Sequence, residues 1–184
     1  ASRSYAPGAA HVYTVKRCLS NPAVMYAGTA TAGMWKSIDA GFTWSLTTRD
    51  LLLNGIFAIE VDHNNPDIAF FESGGSVYKT IDGGENWLII GDASFQSQSH
   101  NVKDIVMSPE DSDLIYLSSN NGLYRTIDGG SNWIQIASGE YQEIEIHPAN
   151  SSIVYAIKVI GDYTEFHKSI DGGMSFTSQT SGWP

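Results

Sequence analysis

Four aspartates recur along the chain at Asp39, Asp82, Asp128 and Asp171, spaced 43, 46 and 43 residues apart. Carboxylates are the groups that glycoside hydrolysis needs, one as acid and one as base or nucleophile, facing each other across the scissile bond. Each of the four, however, sits inside the same nine-residue phrase: KSIDAGFTW (36–44), KTIDGGENW (79–87), RTIDGGSNW (125–133) and KSIDGGMSF (168–176). A phrase written at a fixed period is a device needed once per structural unit. A carboxylate opening a tight turn accepts hydrogen bonds from backbone N–H groups two or three residues on. The glycine two residues later (Gly41, Gly84, Gly130, Gly173) permits positive φ. The hydroxyl two residues earlier (Ser37, Thr80, Thr126, Ser169) ties a second backbone group. The aromatic five residues on (Trp44, Trp87, Trp133, Phe176) opens a strand and packs between sheets, where its large area is useful. These residues are read as turn builders rather than catalysts. The isoleucine before each aspartate (Ile38, Ile81, Ile127, Ile170) is read as core. The basic residue three before it (Lys36, Lys79, Arg125, Lys168) is expected to lay its stem on apolar surface with its charge in solvent.

The remaining reactive side chains are sparse. Histidine and carboxylate positions show no metal-ligand spacing such as H-E-x-x-H, so neither a metal nor a cofactor is expected. His63 and His147 fall at turns, His167 takes a position held by Trp35, Tyr78 and Tyr124 in the other units, and His11 opens the first strand. Cys18 is the single cysteine, which excludes an intrachain disulfide and reads as a buried small hydrophobe. The net charge of −10 and the scattering of ten basic residues exclude nucleic acid and anionic membrane as partners. Apolar content of 42 % argues for a folded core, and no apolar run is long enough for membrane insertion. With no initiating Met and no basic-then-apolar leader, the sequence reads as mature, trimmed or a fragment.

These turns must be held by strands. Ahead of each phrase stand two β-rich runs, such as HVYTVKR then NPAVMYAGT, and IFAIEVD then NPDIAFFES. With the runs flanking each aspartate, every unit has four short strands separated by Gly, Asn, Asp or Pro turns. No stretch holds a helical period for three turns. The fold class is all-β: four consecutive four-stranded antiparallel blades of a β-propeller, at approximately 10–48, 55–91, 101–137 and 141–180.

The phrase resembles the Asp-box, or BNR, repeat, Ser/Thr-x-Asp-x-Gly-x-x-Trp/Phe, and the resemblance covers residues 10 to 180. Asp-box propellers generally have more blades than four, so the chain reads as part of a larger propeller, completed by further blades of a longer chain or by other copies. In families carrying the box it lies away from the ligand site. The resemblance extends to sortilin-type propellers, which bind peptides, to a photosystem II assembly factor that is a scaffold, to xyloglucan hydrolases and to secreted bacterial Asp-box repeat proteins. Sialidases imply three arginines clamping a carboxylate. Here Arg3, Arg17, Arg49 and Arg125 are scattered, and the Arg-Ile-Pro start is absent. Xyloglucan hydrolases imply a catalytic Asp in a Tyr-Ala-Arg-Thr-Asp stretch; the matching segment is YAGTATAGMW, which puts Ala30 at the acid position.

Strand direction reverses at every turn, which sorts the loops onto two ends. The Asp-box hairpins share one end with the turns between first and second strands. The loops between second and third strands share the other end with the connectors to the next blade, and propellers usually bind there. Candidate binding residues on that end are Arg49 and Asp50 in TTRDLLLNG, Asp92, Phe95, Gln96, Gln98 and His100 in the long GDASFQSQSHN connector, Tyr141 in SGEYQ, and Asp162. No catalytic residue is assigned. The expected function is a non-catalytic interaction or scaffold module of a secreted or cell-surface bacterial protein, binding protein or polysaccharide. The alternative is a xyloglucanase-like glycoside hydrolase or a fragment of one.

Overall fold

A computed structural model describes residues 11–96 and 100–179; Arg3, Gln98 and the outermost expected blade residues, 10 and 180, lie outside them. The chain divides between Ile89 and Ile90 into two compact units. In the first unit, one sheet holds β1 (Val12–Arg17), β2 (Met25–Thr29), β3 (Met34–Ser37) and β4 (Ser45–Leu46). The next holds β5 (Ile59–Val61), β6 (Ala69–Ser73), β7 (Ser76–Thr80) and β8 (Leu88–Ile89). In the second unit a four-residue helix, α1 (Ala93–Gln96), precedes a sheet of β9 (Val102–Met107), β10 (Ile115–Ser119), β11 (Gly122–Thr126) and β12 (Ile134–Ser138). The last sheet holds β13 (Tyr141–Ile146), β14 (Val154–Ile160), β15 (Tyr163–Ser169) and β16 (Thr177–Ser178). Each sheet is antiparallel with its strands in chain order. This is the all-β, blade-by-blade architecture expected from the repeat.

Strands form here because β-branched and aromatic residues run between residues that stabilise turns. Asp62 Oδ1 accepts from the N–H groups of Asn64 and Asn65, Ser108 Oγ from those of Glu110 and Asp111, and His147 Nδ1 from Ala149. Three residue types thus perform one task at one position of the repeat. Cys18 occupies the fourth such position, fully buried with Sγ 3.4 Å from the His63 carbonyl.

The core lies between paired sheets. In the first unit Tyr26 and Met34 pack against Ile59, Val61, Phe71 and Trp87. In the second, Tyr116 and Leu123 pack against Ile144, Ile146 and Val154, with Phe176 partly buried beside them. Gly28 lets the two sheets of the first unit approach, since a Cβ there would stand 2.5 Å from Ile56 Cγ2.

The structure corrects two expectations about the repeated phrase. The four isoleucines are not core: Ile38, Ile81, Ile127 and Ile170 are 71, 71, 64 and 73 % exposed. Side chains alternate along a strand, and the preceding Ser37, Thr80, Thr126 or Ser169 is turned inward to hold the turn, so the isoleucine points out. The basic residues also do more than lie with their charges in solvent. Each pairs across the sheet with an aromatic, and its charge sits over that ring: Lys36 on Tyr26 at 5.5 Å, Lys79 on Phe70 at 5.2 Å, Arg125 on Tyr116 at 6.0 Å and Lys168 on Tyr155 at 5.9 Å. Lys36 Nζ then donates to the Gly83 carbonyl of the following blade at 2.9 Å, with Asp67 at 3.8 Å.

Candidate functional site

At the hairpin end the carboxylates are already occupied. Asp39 Oδ1 accepts from Ser37 Oγ (2.8 Å) and the Thr43 N–H (2.8 Å), and Oδ2 accepts from Thr43 Oγ1 (2.6 Å). The set repeats at Asp82 with Thr80 and Asn86, at Asp128 with Thr126 and Asn132, and at Asp171 with Ser169 and Ser175. The carboxylate therefore reaches four residues on rather than two or three, and the N–H of Gly41, Gly84, Gly130 or Gly173 goes to the hydroxyl. The polar residue just before each aromatic was missed in the sequence, although Thr, Asn, Asn and Ser recur there. Side-chain donors at that position hold Asp82, Asp128 and Asp171 down to about 2 and lower Asp39 in the same way. A general acid needs the opposite shift, so these groups are suited to holding turns and not to protonating a leaving group.

At the other end, three residues expected to meet a ligand turn inward. Phe95 and His100 are buried, their rings stacked at 3.9 Å, with Phe95 also stacked on Trp133 at 5.3 Å. His100 Nε2 donates to the Phe95 carbonyl at 2.8 Å, and burial lowers its basicity. The long connector thus feeds its apolar residue into the second unit instead of displaying it. Tyr141 is buried as well; it opens β13 inside the core, with Lys158 over its ring. Asp92 caps α1, accepting from the Phe95 N–H at 3.1 Å, and Gln96 spends its amide on the Gly91 carbonyl at 2.6 Å. Arg49, Asp50 and Asp162 are exposed.

The most accessible recognition feature was not singled out in the sequence. Tyr13 and Phe57 stack with centroids 4.5 Å apart and planes 23° from parallel, yet both remain about half exposed, at 51 and 54 %. The N-terminal ends of two neighbouring blades bring them together. The Ala30 N–H donates to His11 and the Ile56 N–H to Thr29, fixing the chain beside each ring. The connector bearing Arg49, Asp50 and the fully exposed Leu52 runs into Phe57, and its Asn54 carbonyl accepts from Ser73 Oγ at 3.2 Å. An exposed aromatic pair offers flat apolar area to the C–H face of a sugar or to an apolar side chain, with polar groups of both signs on the adjoining connector. The signal for it lay in two aromatics at matching positions of successive first strands.

Among the described residues no group of His, Cys, Asp and Glu is arranged to hold a metal ion, and no helix is long and apolar enough to cross a membrane.

No family model matches the sequence, and neither does any curated protein. Solved structures do resemble it. An ancestral GH74 enzyme superposes with TM-score 0.77 at 20 % identity, over 95 % of this chain and 26 % of that one. The GH74 xyloglucanase of Xanthomonas campestris gives 0.71 at 16 % identity, over 91 % and 29 %. YCF48 bound to D1 peptide gives 0.68 at 18 % identity, over 95 % and 56 %. The chain therefore spans about a quarter of the GH74 enzymes and about half of YCF48. At these identities the likeness establishes the fold, that of β-propeller blades.

Proposed function

We propose that this chain is a non-catalytic interaction module, four Asp-box blades of a larger propeller, that grips an extended polymer through the Tyr13–Phe57 pair. The observation that carries the reading is this exposed stacked pair beside the Arg49–Asp50 connector. The polymer is a polysaccharide or a polypeptide, since both present flat apolar faces along a chain with regular hydrogen-bonding groups. Likeness to an enzyme acting on xyloglucan and to a protein bound to a peptide supports the same pair of ligand classes. A secreted or cell-surface bacterial setting fits that use.

Titrating the protein by calorimetry with xyloglucan oligosaccharides, other β-glucan oligomers and extended peptides tests the reading. Tyr13→Ala and Phe57→Ala should each weaken binding by roughly tenfold, as loss of one stacking contact would. Binding that ignores both substitutions would sink the proposal.

The second reading, a glycoside hydrolase, is favoured by the GH74 likeness alone. Against it, Ala30 stands where the resemblance places the acid, and the four repeated aspartates are committed to turns. Release of reducing sugar that disappears in Asp50→Asn or Asp92→Asn would establish this second reading in place of the first.

A further inference from the structure

We infer that one copy of this chain docks its fourth blade on the first blade of a second copy, through the same contact that joins paired blades within each unit. The repeat itself shows what covers such a face. In the first unit the Tyr26 hydroxyl donates to the Pro66 carbonyl at 2.9 Å and Lys36 Nζ to the Gly83 carbonyl at 2.9 Å, both on the next blade. In the second unit the Tyr116 hydroxyl donates to the Gly172 carbonyl at 2.8 Å, and Arg125 reaches Met174 Sδ at 3.6 Å. Tyr26 and Tyr116 are thereby fully buried. The fourth blade has the same pair, Tyr155 and Lys168, in the same cross-strand register. There Tyr155 is only half-buried, and among the described residues no acceptor is recorded for its hydroxyl. Beside it Tyr155, Ile157 and Glu143 bound an open depression of about 100 Å³. That is room for one or two side chains and well short of a small-molecule pocket.

The first blade carries the complementary lack. Ile59 and Val61 in the second blade, and Ile144 and Ile146 in the fourth, are buried against the blade before them. At the matching positions of the first blade, Val15 is 49 % exposed and Arg17 is exposed. The acceptor is also in place. Gly83 and Gly172, whose carbonyls take the donors inside the units, have φ of 72° and 69°; Ala40 holds that turn position in the first blade with φ 58°. A non-glycine residue in the left-handed region keeps its carbonyl aimed as the glycines do. Charge favours the same pairing, because the fourth-blade face bears Glu143 and the first-blade face bears Arg17. The contact is heterologous, one end of a copy meeting the opposite end of another. The net charge of −10 on each copy opposes association at low ionic strength, so physiological salt is the condition for the measurement.

Sedimentation velocity and native mass spectrometry of the whole chain provide the test. The expected mass is an integral multiple, two or more, of the 20.0 kDa chain. Ile157→Asp, which spoils the fourth-blade face, and Val15→Asp, which spoils the first-blade face, should each weaken association at least tenfold while circular dichroism stays unchanged. Mixed together, these two variants still offer one intact face of each kind, so a heterodimer should form that neither makes alone. Should either variant fold poorly, reversal of the exposed charges serves: Arg17→Glu and Glu143→Arg each weaken assembly, and the double variant restores it. A 20.0 kDa monomer for the unmodified chain overturns the proposal and gives the face to a different occupant, such as a further repeat or another stretch of the same chain. Variants that assemble normally, or a mixture that fails to complement, overturn it equally.

Discussion

Phe95 lies flat on His100, ring centroids 3.9 Å apart and planes 16° from parallel, and the imidazole returns a hydrogen bond to the Phe95 carbonyl. Burial disfavours the imidazolium and lowers the basicity of His100 below its ordinary value. A lowered value in the fold means the unfolded chain takes up the proton first. The stabilisation is thus complete above about pH 6.5 and declines as pH falls below that, toward the folded value. In a histidine NMR titration the His100 midpoint should fall below 6.5. His63, hydrogen-bonded to Glu60, should titrate above it, with its contribution present at low pH and lost as pH rises. Reversal of that order would refute the assignment.

Acid should unfold the hairpins through their aspartates. Asp82, Asp128 and Asp171 are held at about 2, below the ordinary 3.8, by donors that need the ionised form. Their contribution is present above about pH 4 and is lost as pH falls toward 2. Ellipticity followed from pH 5 to 1.5 should show that loss. Asp128→Asn should shift the acid transition, and a transition confined above pH 4 would point to other groups.

Thr126→Val keeps the shape of a buried side chain but removes the acceptor for the Gly130 N–H. The expected cost is about 1–3 kcal/mol, the penalty for an unpaired buried donor. Urea denaturation measures it, and a neutral result would show that the hydroxyl is not what holds the turn.

Lys36→Met keeps most of the stem on Tyr26 but strips both the ring and the Gly83 carbonyl of a cation. The loss should be about 1–2 kcal/mol. By contrast, Ile38→Thr should fall within about 0.5 kcal/mol of the unmodified protein, because the side chain is mostly in water. Equal effects of the two changes would contradict the burial pattern.

Gly122→Ala should be among the most damaging single-methyl additions, since a Cβ there would overlap the Ala137 carbonyl on the paired strand. A cost of about 2 kcal/mol or more is expected from overpacking against backbone. Thermal unfolding provides the check.

The strand order, the blade period and the four turns were legible in the sequence because they are local and repeated. Ser37 and Asp39 act within seven residues of chain, so their role shows in any one copy. Ile38 misled because a β-branched residue between two turn builders looks like core, although alternation turns it outward once Ser37 points in. Phe95, His100 and Tyr141 misled because a long polar connector reads as surface even when one ring folds back onto Trp133. The Tyr13–Phe57 stack was hidden because it joins residues of different blades, and the distance between blades is not written in either strand.

The outermost strands carry a last consequence. β4, β8 and β16 are two residues long, so the rim of three sheets exposes too few unpaired N–H and C=O groups to template a strand from another molecule. β12 departs from this, with five residues and Ile134 turned to water. If this chain ever misassociates into cross-β aggregates, the rim of the third blade is where recruitment has the longest ladder to begin on.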